Sequence, residues 1–146
     1  MSMPGMYKFF DHTADVLFVA KGDTLAEVFT QCGLATEETM VDLEGVEPVE
    51  QTKILCEEMK LDRLLFDFLD ELIFFKDYKQ LIFCKFDISI EQRGNKHYLS
   101  CIAWGEKLNL ARHDPKVDVK AVTMHEFKLE YSEEKKQWKA QVILDI

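Results

Sequence analysis

Proline and glycine are scarce in this chain, three and six among 146 residues. No Pro/Gly/Ser-rich linker, internal repeat or low-complexity tract divides it, so residues 1–146 are expected to form a single domain. No stretch approaches the ~20 apolar residues of a membrane-spanning helix, and the first residues lack the basic and apolar regions of a secretory leader. The four cysteines, Cys32, Cys56, Cys84 and Cys101, form no C-x-x-C pair. With apolar neighbours they read as reduced, mostly buried thiols of a cytoplasmic protein, not as a disulfide framework. The glycines form neither GxxxxGK[ST] nor GxGxxG, which argues against a P-loop for GTP. The serines form no G-x-S-x-G elbow, so nucleophilic catalysis has little support.

Positive charge is also in short supply. The chain has 27 acidic residues against 18 Lys and Arg, a formal net charge of −9. The imbalance lies in the first half: residues 1–73 carry 16 acids and 5 Lys or Arg, whereas residues 74–146 carry 11 and 13. Such a surface repels phosphate backbones, so direct, tight nucleic-acid binding is not expected. A basic protein partner or a bound cation fits better.

What is present is a core. Apolar residues make up 47% of the chain and eleven of its residues are Phe, which excludes disorder. The pattern predicts strands at 7–10 and 16–20. The run Thr24-Leu25-Ala26-Glu27 is a capping box that opens a helix with Leu25, Val28, Phe29, Cys32 and Ala35 on one face. A strand is predicted at 51–57. A strongly amphipathic helix follows over 61–75, with Leu61, Leu64, Leu65, Phe68, Leu72 and Phe75 recurring at spacings of three and four. Strands at 83–91 and 98–105 flank the hairpin turn Arg93-Gly94-Asn95-Lys96. A loop around Arg112–Pro115, a strand interrupted by a bend over 117–130 and a last strand at 137–144 complete the chain. Strands and helices do not alternate regularly. The expected class is therefore α+β: a two-layer domain with a mixed or mostly antiparallel sheet and two helices on one face.

Two segments could carry chemistry. Asp11-His12-Thr13-Ala14-Asp15 lies between the first two strands, where Asp and Thr suit a turn that bonds its own backbone. A sharper reading adds the end of the sequence, where Val142-Ile143-Leu144 runs straight into Asp145 and Ile146. If the first, second and last strands are neighbours, Asp15 faces Asp145 and the α-carboxylate of Ile146. Three carboxylates stay ionised together only beside a cation or a cluster of donors. An all-oxygen set suits Ca²⁺, Mg²⁺ or Mn²⁺; His12 would be needed for a more zinc-like site.

These segments also carry a family likeness. The intact Asp-His-Thr-Ala-Asp block resembles that of the archease family. So do Gly22-Asp23-Thr24-Leu25 with Glu27, Phe68-Leu69-Asp70-Glu71-Leu72, Trp104-Gly105-Glu106, Val119-Lys120-Ala121-Val122-Thr123-Met124-His125 and the closing Leu144-Asp145-Ile146. The resemblance spans nearly the whole chain. It implies an accessory protein, with no catalytic residues of its own, that activates an RtcB-type RNA ligase in tRNA splicing and RNA repair. Such a protein promotes loading of GMP from GTP onto the ligase and supports multiple turnover. It also implies a divalent metal, Ca²⁺ or in the cell Mg²⁺ or Mn²⁺, held by Asp15, Asp145 and Ile146. His12, Lys120 and His125 are then candidates to face the partner.

One stretch departs from the family pattern: Glu37 and Thr39 stand where apolar residues are common. They are expected to leave the first helix's end less buried and to add negative charge to a docking face. His97 and His113 are expected at the surface, and Trp104 and Trp138 in packing. Two other functions use the same residues differently. A stand-alone metal-dependent phosphoester hydrolase would need a positioned base and a substrate pocket; a general chaperone or scaffold would be indifferent to Asp145 and Ile146.

Overall fold

A computed structural model of the chain describes residues 5–11 and 15–146. Among the described residues the elements are β1 (Gly5–Phe10), β2 (Asp15–Gly22), α1 (Leu25–Met40), β3 (Glu50–Glu58), α2 (Leu61–Lys79), β4 (Leu81–Arg93), β5 (Lys96–Lys107), β6 (Ala121–Ser132) and β7 (Gln137–Asp145). The α+β class is as expected, and the strand pairings are antiparallel. The strands divide into two sheets, ordered β1-β2-β7-β6 and β3-β5-β4. Both helices touch both sheets: α1 meets β1, β2 and β7 on one side and β4 on the other, and α2 meets β6 as well as β3, β4 and β5.

The start of α1 follows directly from its sequence. The Thr24 hydroxyl accepts the Glu27 amide at 3.1 Å, while the Glu27 carboxylate accepts the amides of Asp23 at 2.8 Å and Thr24 at 3.3 Å. Such a cap is worth about 1 kcal/mol. Lying against two sheets, α1 is buried nearly all round, and Val28, Phe29, Cys32 and Ala35 are completely enclosed.

The polar end of α1 is enclosed as well, contrary to the sequence expectation. The hydroxyls of Thr36 and Thr39 donate back to the carbonyls of Cys32 and Ala35 at 2.9 and 2.8 Å, which satisfies them without water. Glu37 is 0% exposed. One of its carboxyl oxygens accepts the Phe83 amide at 3.1 Å, and among the described residues the other has no partner. Burial pushes this carboxyl up to about 8, against the opposing pull of the Phe83 amide and the Lys76 charge. It is therefore mostly neutral at pH 7 and adds no charge to a docking face.

In α2 the predicted apolar face is the buried one: Leu64, Leu65, Phe68 and Leu72 are fully enclosed and Leu61 and Phe75 partly so, while Leu69, outside the predicted stripe, is enclosed as well. The helix runs one turn beyond the predicted 75 and stops at Gln80, whose left-handed φ of 54° ends the ladder while its amide still bonds back to Lys76. In β5, Gly105 is required by close approach, since a Cβ there would lie 1.8 Å from the Ile82 carbonyl oxygen. That contact falls where β4 and β5 shift register, between Phe83 and Lys85.

A carboxylate pair at the end of the four-stranded sheet

The last strand does not lie at an edge. β7 is inserted between β2 and β6, so its end is held from both sides. Along β2 the register runs from Gly22 opposite Trp138 to Asp15 opposite Asp145. On the β6 side Ala121 is also opposite Asp145, and the Lys120 amide donates to the Asp145 carbonyl at 2.8 Å. Side chains alternate along a strand, and directly opposed residues share a face. Phe18, Ala20, Val142 and Leu144 line the helix-covered face and are fully buried. Asp15 and Asp145 therefore share the opposite face, with Leu17 and Ile143 beside them.

Register thus brings Asp15 and Asp145 together, and each is partly exposed. Like charges directly opposed on a sheet face repel, and a hard cation is one way to accommodate them. The donors that the register brings together, two side-chain carboxylates, are of the kind such an ion takes. Ile146 packs against the main core, which limits where that residue can move. Among the described residues no group of three His, Cys, Asp or Glu side chains is gathered to hold a metal. His12, and with it its proposed role, lies outside the described residues.

The partner-facing candidates separate. Lys120 is exposed and directly precedes the residue paired with Asp145. His125 lies on an interruption of β6, where the register with β7 is lost between Thr123 and Lys128. Glu126 takes a left-handed φ of 53° there, and the Gln141 side-chain amide donates to its carbonyl at 2.9 Å. The His125 side chain is 74% exposed, 3.6 Å from the Glu126 carboxylate. His97 pairs with Glu58 and Gln92 inside the second sheet, and both tryptophans pack: Trp138 on Tyr131 with centroids 5.2 Å apart, Trp104 under the Lys85 ammonium at 4.8 Å.

His113 is the clearest correction, for its side chain is fully buried. Its Nδ1 accepts the Asn109 amide at 2.8 Å, so that nitrogen carries no proton and Nε2–H donates to Glu106 at 3.0 Å. Glu106 also accepts the Glu47 amide at 2.7 Å and a hydrogen bond from Arg112. Burial raises its carboxyl, but these donors outweigh burial and hold it below the usual carboxylate range. The Gly105-Glu106 dipeptide signalled the position, but nothing in the sequence signalled its partners. This cluster anchors the start of the long β5–β6 connection and borders an open groove on the surface. That groove, of about 610 Å³, runs along Glu50, Glu106 and Arg112; another of about 380 Å³ runs along Leu55, Glu91 and Tyr98.

Comparison with known proteins matches residues 7–146 to the archease protein family (MTH1598/TM1083). The chain is 36% identical to the protein archease of Pyrococcus furiosus over 140 residues, covering 96% of this chain and 98% of that one. It is 40% identical to the protein archease of Ictalurus punctatus over 118 residues, covering 80% and 72%. Its fold superposes on the solution structure of Methanobacterium thermoautotrophicum protein 1598 with a TM-score of 0.83 at 35% identity, covering 96% and 98%. The crystal structure of a Thermotoga maritima archease, described as a possible chaperone, shares the fold at a TM-score of 0.62 and 19% identity, covering 95% and 96%. The chain belongs to the archease family.

Proposed function

We propose that this protein is a cytoplasmic activator of an RtcB-type RNA ligase in tRNA splicing and RNA repair, and is not itself an enzyme. It would promote guanylylation of the ligase and repeated turnover. The observation that carries the proposal is the register of β2 and β7, which sets Asp15 against Asp145 at one end of the sheet with the Lys120 backbone bonded alongside. A sheet end that presents two partly exposed aspartates is suited to meet a partner.

In this reading Asp15, Asp145 and the Ile146 carboxylate hold a divalent cation. Such a cation, when bound, supplies charge neutralisation for the phosphates of a nucleotide undergoing transfer. The chain's own part is placement. The β2–β7–β6 ladder fixes the two carboxylates against each other, and Lys120 adds a positive charge at the rim, where it can meet a phosphate or an acidic group of the ligase. The net charge of −9 keeps RNA off the remaining surface, so the RNA is expected to contact the ligase and not this protein.

The test is guanylylation of the matching ligase with GTP, with and without this protein. Stimulation by wild type that falls at least tenfold with Asp145→Asn supports the reading. Absence of stimulation by folded wild-type protein refutes it. Equal stimulation by wild type and by the Asp15→Asn, Asp145→Asn double variant removes the carboxylates from the mechanism and leaves docking alone.

A further inference from the structure

The connection between β5 and β6 spans residues 108–120 and has no regular secondary structure beyond turns and a bridge. Its first part is fixed by the Glu106 cluster and by α1. The Asp42 amide bonds to Asp114 at 3.0 Å, Lys116 and Val117 donate to Met40 and Thr39 at 2.9 and 3.2 Å, and the Lys116 ammonium reaches Glu38 at 2.9 Å. Its last part, 118–120, leads directly into the carboxylate pair through the Lys120 amide. That part is held by a different element. The ammonium of Lys76, near the end of α2, contacts the Asp118 carboxylate at 2.5 Å and the Val119 carbonyl at 2.9 Å. It also contacts Asp77 at 2.7 Å, and its side chain is only 12% exposed.

The geometry points to Lys76 as a positioning residue of the carboxylate site: by gripping Asp118 and Val119 it orients the backbone that carries Lys120 and its bond to Asp145. The importance of that corner rests on the activator reading above; the mechanical link does not. An ammonium has three donor hydrogens, and here three protein oxygens take them up. Val119 is fully buried and so sets the depth at which the strap sits. Bonds from Lys76 to two consecutive residues add a fixed orientation to that depth. Hydrogen bonds also raise the affinity of Lys76 for its proton, against the burial that lowers it, so the grip persists across neutral pH. The path is continuous: Lys76, Val119, Lys120, the Asp145 carbonyl, then Asp15 across the ladder.

The experiment measures amide hydrogen exchange by NMR and Ca²⁺ affinity on the full chain, for wild type and Lys76→Met. Methionine keeps length and apolar contact but removes the donors. The expected result is an intact far-ultraviolet spectrum, Lys120 amide exchange at least tenfold faster, unchanged protection in the 128–132 part of β6, and Ca²⁺ affinity lowered severalfold. Lys76→Arg, which retains donors, should restore part of both. Unchanged Lys120 exchange in folded Lys76→Met overturns the inference, as does uniform acceleration along β6, which would mark a general loss of stability. Should Lys76→Met fail to fold, Asp118→Ala at an exposed position is measured instead, with the same two outcomes in smaller amplitude. Failure of the activator reading looks different: folded wild-type protein would then give no stimulation of ligase guanylylation, while the Lys120 exchange still reports on Lys76.

Discussion

Asp15 and Asp145 are direct register partners across β2 and β7, although 130 positions separate them in the chain. Their pairing closes a ladder whose other face is core, so neither residue can slip by one position without turning Phe18 or Val142 out of the interior. The sheet's hydrophobic pattern therefore sets the two aspartates opposite each other.

Cation linkage is the first expected consequence. An ion bound only by the folded state stabilises it by about 2.7 kcal/mol when present at 100 times its dissociation constant. Thermal melts in EDTA and in increasing Ca²⁺ or Mg²⁺ should show the wild-type midpoint climbing with metal, and the Asp145→Asn midpoint staying level. Parallel rises in both proteins would place the cation elsewhere.

Glu37 gives a pH dependence whose sign is fixed by its environment. Its folded-state value lies near 8, up from 4.5. Between those two values the native state binds the proton and the unfolded state does not. Stability from this group therefore falls as pH rises through the window and levels off above about 8. Glu37→Gln keeps the acceptor for the Phe83 amide and cannot ionise. Urea midpoints at pH 6 and pH 9 should differ less in the variant, and the variant should be the more stable protein at pH 9. An identical slope would mean that Glu37 ionises in place without cost.

How much of this was legible follows from what each feature depends on. The capping box at Thr24 and the apolar stripe of α2 are local, and both formed as read. The approach of Asp15 to Asp145 needed only that the first, second and last strands be neighbours, which the sequence allowed but did not require. The split into two sheets was not legible, because pairing β3 with β5 and β2 with β7 joins segments far apart in sequence. The burial of Glu37 followed from that split: a helix covered from two sides has no solvent face for its end. His113 and Lys76 were missed for a related reason. Their partners, Glu106 and the 118–119 backbone, are brought to them by an irregular strap that has no periodicity to read.

The Glu106 cluster makes the last prediction. Glu106 is 7% exposed and His113 is 4% exposed, so truncating either leaves buried polar atoms behind. Hydrogen bonds to a charged group contribute about 1.5–3 kcal/mol each. Glu106→Ala removes the acceptor for Glu47, Arg112 and His113 together, and should destabilise by about 3 kcal/mol in urea unfolding at pH 7. Because the native carboxyl is held below its unfolded value, its contribution is present above the unfolded value and fades as pH falls through the lower, native one. Wild type and Glu106→Ala should therefore converge in stability at strongly acid pH. The tautomer offers an independent check: ¹⁵N spectra of His113 should show a proton on Nε2 and none on Nδ1, as the Asn109 amide requires. A protonated Nδ1 at neutral pH would show that the strap is held by some other arrangement than this cluster.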